Sequence, residues 1–378
     1  MKKTGLRIVF LALVLLVTAS VPAAEPLVSA PAAGPLSDHF DGKLYFNPAL
    51  SPPPQAPPAG GPSRSRSGWI WRWLFGNDWP EWPKVTALSP GPPPVSRVPQ
   101  GHLLITPVGH ATFLVQMDGL NLLIDPIWSE RCSPVSFAGP RRHREPGIAF
   151  ADLPPIDAVL VTHNHYDHLD LPTLERLAEK GVPRAVTTLG NRELIKGEGF
   201  TRVEELDWWQ SVSLSATVTV TLVPARHFSS RTLWDRNETL WGGFVISGPA
   251  GQVYHAGDTA YGPHFKEIAG RFPRLRAALL PISPYQPQGA QEAPRAGGSS
   301  VHMGPAEALQ AHLDLGVPIS IAAHYQVFQL GGDGFDDAVR DLAAALQEQG
   351  LPPEAFVTPL PGRAIAPPGP LNASLGLR

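Results

Sequence analysis

Four side chains able to bind a metal ion, His163, His165, Asp167 and His168, fall within six residues of one another, directly after the apolar run D-A-V-L-V. Imidazole and carboxylate groups suit zinc and similar divalent ions. A short loop at the end of a buried strand can aim all four into one cavity. The alternative, a solvated polar loop, sits poorly with the purely apolar strand leading into it. Four ligands from one loop cannot all close around a single tetrahedral ion, so others must arrive from elsewhere. Three candidates share the same placement after an apolar strand: His227 after V-P-A-R, Asp258 after Q-V-Y-H-A-G and His324 after I-S-I-A-A.

The pattern around these residues is one of short apolar strands separated by turns. L-L-I-T-P-V from 103, T-F-L-V-Q-M from 112, N-L-L-I-D from 121 and D-A-V-L-V-T from 157 read as strands in the first half. A helix follows, with Leu171, Leu174, Leu177 and Ala178 on one face. The second half repeats the theme with A-T-V-T-V-T-L-V, G-F-V-I-S, Q-V-Y-H-A, A-A-L-L-P-I and P-I-S-I-A-A, and with helices expected over residues 305–315 and 335–349. Two sets of strands, each with helices, fit an α/β sandwich of two packed sheets covered outside by helices. With 43% hydrophobic and 17% charged residues, the chain has the apolar material for such a core.

A formal net charge of -3 gives no whole-molecule attraction to nucleic acid, so none is expected as a partner. The single cysteine, Cys132, excludes an internal disulfide. Residues 1–24, with Lys2 and Lys3, an apolar run from Ile8 to Val17 and small residues up to Ala24, read as an export signal. The expected location is periplasmic or secreted, and the alternative is an uncleaved N-terminal segment that anchors the chain to the membrane. Residues 25–66, rich in Pro, Ala, Gly and Ser, are expected to be mobile, with one ordered candidate from His39 to Pro48. The span 67–100 begins with five tryptophans between residues 67 and 82. Packing onto the main domain is the favoured reading, and an interfacial aromatic surface the other. The hydrolase domain itself is expected at 101–365, followed by a tail at 366–378.

The sequence resembles the metallo-β-lactamase superfamily and, within it, the N-acylphosphatidylethanolamine-hydrolysing phospholipase D group. The resemblance covers about residues 38–349. It is carried by V-G-H-A-T-F-L-V (108–115), L-I-D-P-I-W-S-E-R (123–131), G-P-R-R-H-R (139–144) and L-P-P-I-D-A-V-L-V-T-H-N-H-Y-D-H-L-D (153–170). Further matches are E-L-D-W-W (205–209), A-R-H-F-S-S-R-T-L-W-D (225–235), L-W-G-G-F (240–244), A-G-D-T-A-Y (256–261) and V-H-M-G-P-A-E-A (301–308). The H-x-H-x-D-H run marks only the superfamily, whereas the D-W-W, R-H-F, L-W-G and H-x-x-P-x-E-A blocks are narrower.

This resemblance implies an αβ/βα four-layer sandwich holding two divalent ions, with zinc expected. One ion would be held by His163, His165 and His227, the other by Asp167, His168 and His324, with Asp258 bridging. Asp125 would support a ligand from behind, and His302 would act beside the metals; its alternative is an ordinary polar residue ahead of a helix. His110, His255 and His312 have no such match and are expected to be structural. Tyr285 and the basic run Arg141, Arg142 and Arg144 are expected to contact substrate, with a solvated surface loop as the alternative for the arginines. The sequence departs from the group where Q-G-A-Q-E-A-P-R-A-G-G-S-S separates Tyr285 from His302.

The implied reaction is phospholipase D-type hydrolysis of N-acylphosphatidylethanolamine by a metal-bridging hydroxide, with Asp258 and His302 catalytic. A phospholipid or other phosphodiester is the expected partner, with peripheral membrane contact and no obligate protein partner. The alternatives are hydrolysis of a lactone, ester or other phosphodiester, and a noncatalytic, metal-stabilised envelope or lipid-binding protein.

Overall fold

Alternate residues along nearly every strand enter different cores, and this period of two sets the architecture. In β3 (Leu120–Ile124), Leu122 and Ile124 join a central cluster while Leu123 joins an outer one. In β9 (Gly243–Gly248), Phe244 and Ile246 face the same central cluster while Val245 faces a second outer one. A strand buried on both faces must be apolar throughout, and A-V-L-V of β4 (Ala158–Val161) is buried at every position.

The structure is a computed structural model that describes residues 37–48, 79–84, 91–285 and 301–369. All of these fall in one compact unit, Ser37–Arg378; a separate unit, Met1–Leu36, lies outside the described residues. The first sheet runs in the order β1 (Leu103–Gly109), β2 (Thr112–Met117), β3, β4, β5 (Arg184–Thr188) and β6 (Arg202–Leu206). Its first three strands are antiparallel and β3 to β6 are parallel. The second sheet comprises β7 (Ser211–Ser213), β8 (Thr219–Val223), β9, β10 (Gly251–His255), β11 (Leu275–Pro281), β12 (Ser320–Ala323) and β13 (Phe356–Val357), antiparallel from β7 to β10 and parallel from β10 to β13.

The central core joins the sheets, with Ile105, Phe113, Leu122 and Leu160 from one and Val220, Phe244, Val253 and Leu279 from the other. Helices α1 (Leu171–Glu179) and α2 (Arg192–Gly197) cover the first sheet through Leu174, Leu177 and Ile195. Helices α3 (His264–Arg271), α4 (Pro305–Leu315) and α5 (Asp337–Glu348) cover the second through Phe265, Leu309 and Leu342. Helix, sheet, sheet and helix form the four layers expected. Helix α5 starts two residues later than expected because the Asp337 carboxylate accepts from the Gly334 amide at 2.7 Å, closing a turn there.

Residues 37–48 pack onto this domain although they lie inside the Pro-rich span. Tyr45 is buried in the central core, and His39 stacks on Trp208 with ring centroids 3.8 Å apart while bonding Asp207 at 2.9 Å. Of the tryptophan-rich stretch, Trp82 is buried; its indole N–H donates to the Asp333 carbonyl at 2.8 Å and its ring meets Phe335 edge-on. Trp69, Trp71 and Trp73 lie outside the described residues, as do the expected export signal, the 286–300 insertion and the last nine residues of the tail. Among the described residues, no helix is long and apolar enough to cross a membrane.

Candidate metal centre

Strand direction brings the candidate ligands to one edge of the sandwich. Strands β8 and β10 both run antiparallel to β9, and β10 to β12 are parallel, so the residues after β8, β10 and β12 emerge together. Likewise β1 and β3 both oppose β2, while β4 follows β3. His227, Asp258 and His324 therefore meet the loop after β4 and the residues after β1 and β3. The backbone is bent sharply here. His110, Asp125 and His324 have φ values of 56°, 42° and 62°, a region non-glycine residues seldom adopt, which clusters at functional sites. Before Asp258, Gly257 has φ 61°, and a Cβ there would lie 2.8 Å from the Gly242 carbonyl oxygen, so only glycine permits this turn.

Two groups of ligand atoms result. His163, His165, His227 and Asp258 form one; Asp167, His168, His324 and His110 form the other, and within each group the atoms lie within 4.8 Å of one another. The Asp258 carboxylate reaches both groups, with Oδ2 3.1 Å from His324 Nε2, 3.3 Å from His168 Nε2 and 3.8 Å from His227 Nε2. Its other oxygen, Oδ1, is buried without a hydrogen-bond partner.

Hydrogen bonds behind the rings set their tautomers. Asp125 accepts from the Thr162 amide at 2.8 Å, the Thr162 hydroxyl at 2.7 Å and His168 Nδ1 at 2.8 Å. Having donated its proton to Asp125, the Thr162 hydroxyl accepts from His163 Nδ1 at 3.0 Å. His227 Nδ1 donates to the Val301 carbonyl at 2.8 Å. In the neutral forms, Nε2 of His163, His168 and His227 is thus left with a lone pair facing the centre, the arrangement metal-ligating histidines require. His165 Nδ1 lies 2.9 Å from His163 Nε2 and 3.1 Å from His227 Nε2. Three converging imidazole nitrogens and an unpartnered carboxylate oxygen fit a bound cation.

The charges agree. Burial, followed by the neighbouring imidazoles, drives His163 well below its ordinary pKa; burial also lowers His227 well below it and His165 to about 4, against the pull of nearby carboxylates. Burial opposes charge on His168 and His324 too, but Asp258 and Asp167 outweigh it, raising His324 to about 9 and His168 well above its ordinary value. Asp167 and Asp258 stay ionised because the imidazoles overcome the cost of burying them. His302 lies on the more open side, with 18% of its side chain exposed and Nδ1 3.8 Å from Asp258 Oδ2; burial lowers it to about 4.

The ligand loop is clamped from outside. The Arg231 guanidinium donates to the carbonyls of Asn164 and Leu169 at 2.7 and 2.8 Å and stacks on Tyr166, while the Asn164 side chain accepts from the Ser230 amide.

Several expected roles change. His110, expected to be structural, places Nε2 2.9 Å from Asp167 Oδ2 and its ring 4.0 Å from that of His324. It too follows an apolar strand, which is the signal by which the sequence could have revealed it. His255 and His312 keep structural parts: His255 accepts from the Gly257 amide and bonds the Ala111 carbonyl, and His312 bonds Ser320. Arg142 does not serve substrate as expected. It is buried, donating to the carbonyls of Ile127, Ser129 and Arg144 and lying over Phe328, so it holds its loop together. Arg141 is exposed and paired with Glu130. Arg144 is half-buried over Phe335. The Tyr285 hydroxyl donates to Asp341 at 2.5 Å, and its amide meets Asp333.

The family model for the β-lactamase superfamily domain matches residues 120–325. The chain is 36% identical to an uncharacterized protein of Mycobacterium tuberculosis over 287 residues, 74% of this chain and 73% of that one. It is 32% identical to N-acyl-phosphatidylethanolamine-hydrolyzing phospholipase D 1 of Caenorhabditis elegans over 268 residues, 68% of this chain and 73% of that one. It is also 34% identical to a metal-dependent hydrolase of Methanopyrus kandleri over 59% of this chain and 84% of that one. Among solved structures, the isothiocyanate hydrolase from Delia radicum gut bacteria superposes with a TM-score of 0.53 at 22% identity, covering 70% of this chain and 99% of that one. That likeness is one of fold.

Proposed function

Because the chain belongs to the metallo-β-lactamase superfamily and is a metal-dependent hydrolase, we propose that it hydrolyses a phosphodiester, with N-acylphosphatidylethanolamine as substrate and N-acylethanolamine and phosphatidate as products. The observation that carries this reading is the pair of ligand groups sharing Asp258, with His302 beside them on the open side. Its support for this lipid is the similarity to the nematode enzyme.

His163, His165 and His227 would hold one cation and Asp167, His168 and His324 the other, with Asp258 touching both; zinc suits this imidazole and carboxylate set. When bound, two such cations activate water and neutralise charge on phosphoryl oxygens. The chain's own residues do the rest. Asp258 and Asp167 supply the negative charge that keeps cations close together. Asp125, Thr162 and the Val301 carbonyl hold the imidazoles in ligating orientation. Neutral at pH 7, His302 orients the phosphoryl group, takes up the proton that the attacking water releases and passes it to the departing ethanolamine oxygen. The oxygen of water bonds to phosphorus, the bond from phosphorus to the ethanolamine oxygen breaks, the proton lost by water ends on the released alcohol, and no redox change occurs.

Beyond the centre, Leu233 and Trp234 are 54% and 75% exposed on the loop that follows His227. An exposed aromatic and aliphatic pair suits contact with a lipid surface.

The test is turnover of N-acylphosphatidylethanolamine by the purified, metal-loaded chain in 18O-labelled water, read by mass spectrometry. Label in phosphatidate supports the reading. No cleavage of this lipid, with cleavage of lactones or carboxylic esters, overturns it.

A further inference from the structure

His110 is the one residue of the two ligand groups that the reading above leaves without work. Its imidazole is buried in the turn between β1 and β2, and Nε2 lies 2.9 Å from the Asp167 oxygen that His324 approaches to 3.1 Å and His168 to 3.4 Å. An ionised carboxylate accepts only, so His110 must donate from Nε2. Its Nδ1 then carries a lone pair, and that atom is buried with no hydrogen-bond partner. Arg144 Nε is also buried without an acceptor. Both residues line one small cavity, together with Gly109, Tyr325 and Val327. Its volume of about 10 Å³ is the room of a single water molecule. One water can accept from Arg144 Nε and donate to His110 Nδ1, satisfying both atoms and fixing the tautomer that donates to Asp167.

We propose that His110 is a positioning residue for the metal-ligand carboxylate of Asp167, and that Arg144 holds it in the donating tautomer through one buried water. The bond to His110 occupies one oxygen of Asp167 and fixes how the carboxylate is presented to the cation it shares with His168 and His324. A backbone bond reinforces the arrangement, since the His324 amide donates to the His110 carbonyl at 3.0 Å. The role of Arg144 is thus behind the centre, away from the substrate contact its position in a basic run suggested.

This inference rests on the two-cation reading, and the test separates the two. The full chain is stripped of metal and titrated with cobalt(II), following visible absorption, with circular dichroism as the measure of folding. The parent should take up two equivalents; fewer would overturn the two-cation centre itself. His110→Asn keeps a residue that tolerates positive φ but is too short to reach Asp167. It should weaken one equivalent about 10- to 100-fold, the usual cost of losing a bond behind a ligand, and leave the other unchanged. His110→Gln, whose amide can donate across the longer reach, should recover much of the loss. Arg144→Met, which touches no ligand, should weaken the same equivalent and carries the test if His110→Asn does not fold. Equal weakening of both equivalents, or none in His110→Asn and Arg144→Met, overturns the proposal.

Discussion

The Asn47 side-chain amide pairs with both backbone groups of His227: its N–H donates to the His227 carbonyl at 2.8 Å, and its oxygen accepts from the His227 amide at 3.2 Å. A residue from the Pro-rich N-terminal span thus fixes the backbone of a candidate metal ligand 180 positions away.

Asn47→Ala removes both bonds. At about 0.5–1.5 kcal/mol for each net hydrogen bond, the loss of stability should be roughly 1–3 kcal/mol. Metal affinity at the His163, His165 and His227 group should fall with it. Denaturant unfolding and a metal titration measure the two effects; an unchanged midpoint with unchanged affinity would show that the pairing contributes nothing.

Asp258→Asn keeps the shape of the bridging residue but removes its charge. Two cations held close together need that charge, so the variant should retain fewer ions and lose most turnover. Elemental analysis should give about two ions per chain for the parent and fewer for the variant. Equal contents would reject the bridging role.

His302→Ala should act on rate alone. Acid-base groups typically contribute about 100-fold or more, and His302 lies beside the ligands, so turnover should fall by that order while metal content holds. Full activity in this variant would remove His302 from the mechanism.

The metal-free protein should depend on pH in a direction the raised histidines define. His324 is raised to about 9, so its pairing with Asp258 and Asp167 stabilises the fold fully below its ordinary value of 6.5. That stability is lost as pH rises from there through about 9. A cation on Nε2 must displace the same proton, so binding should release protons and tighten between pH 7 and 9. Thermal unfolding of the stripped chain across this range, with proton release measured on adding zinc, checks both signs. Stability that rises with pH would contradict the pairing.

Much of this was legible from local pattern. The run from His163 to His168 after an apolar strand, and His227, Asp258 and His324 after three others, followed from one rule: ligands placed where buried strands end. The same rule points to His110, which also follows an apolar strand, although the family resemblance gives it no metal role. Arg142 runs the other way. A basic run in sequence suggested an anion site, yet one of its members is turned inward to cap carbonyls.

The amino-acid sequence by itself determined the layers and the chemistry, because the two-residue period of strands such as β3 and β9 dictates which side chains enter which core. Only the tertiary structure decided the partners. That Asn47 grips His227, that His110 rather than His255 faces Asp167, and that Arg144 and His110 share one cavity all depend on strand direction and the bends after each strand. Those contacts join residues far apart in the chain, and no local period encodes them.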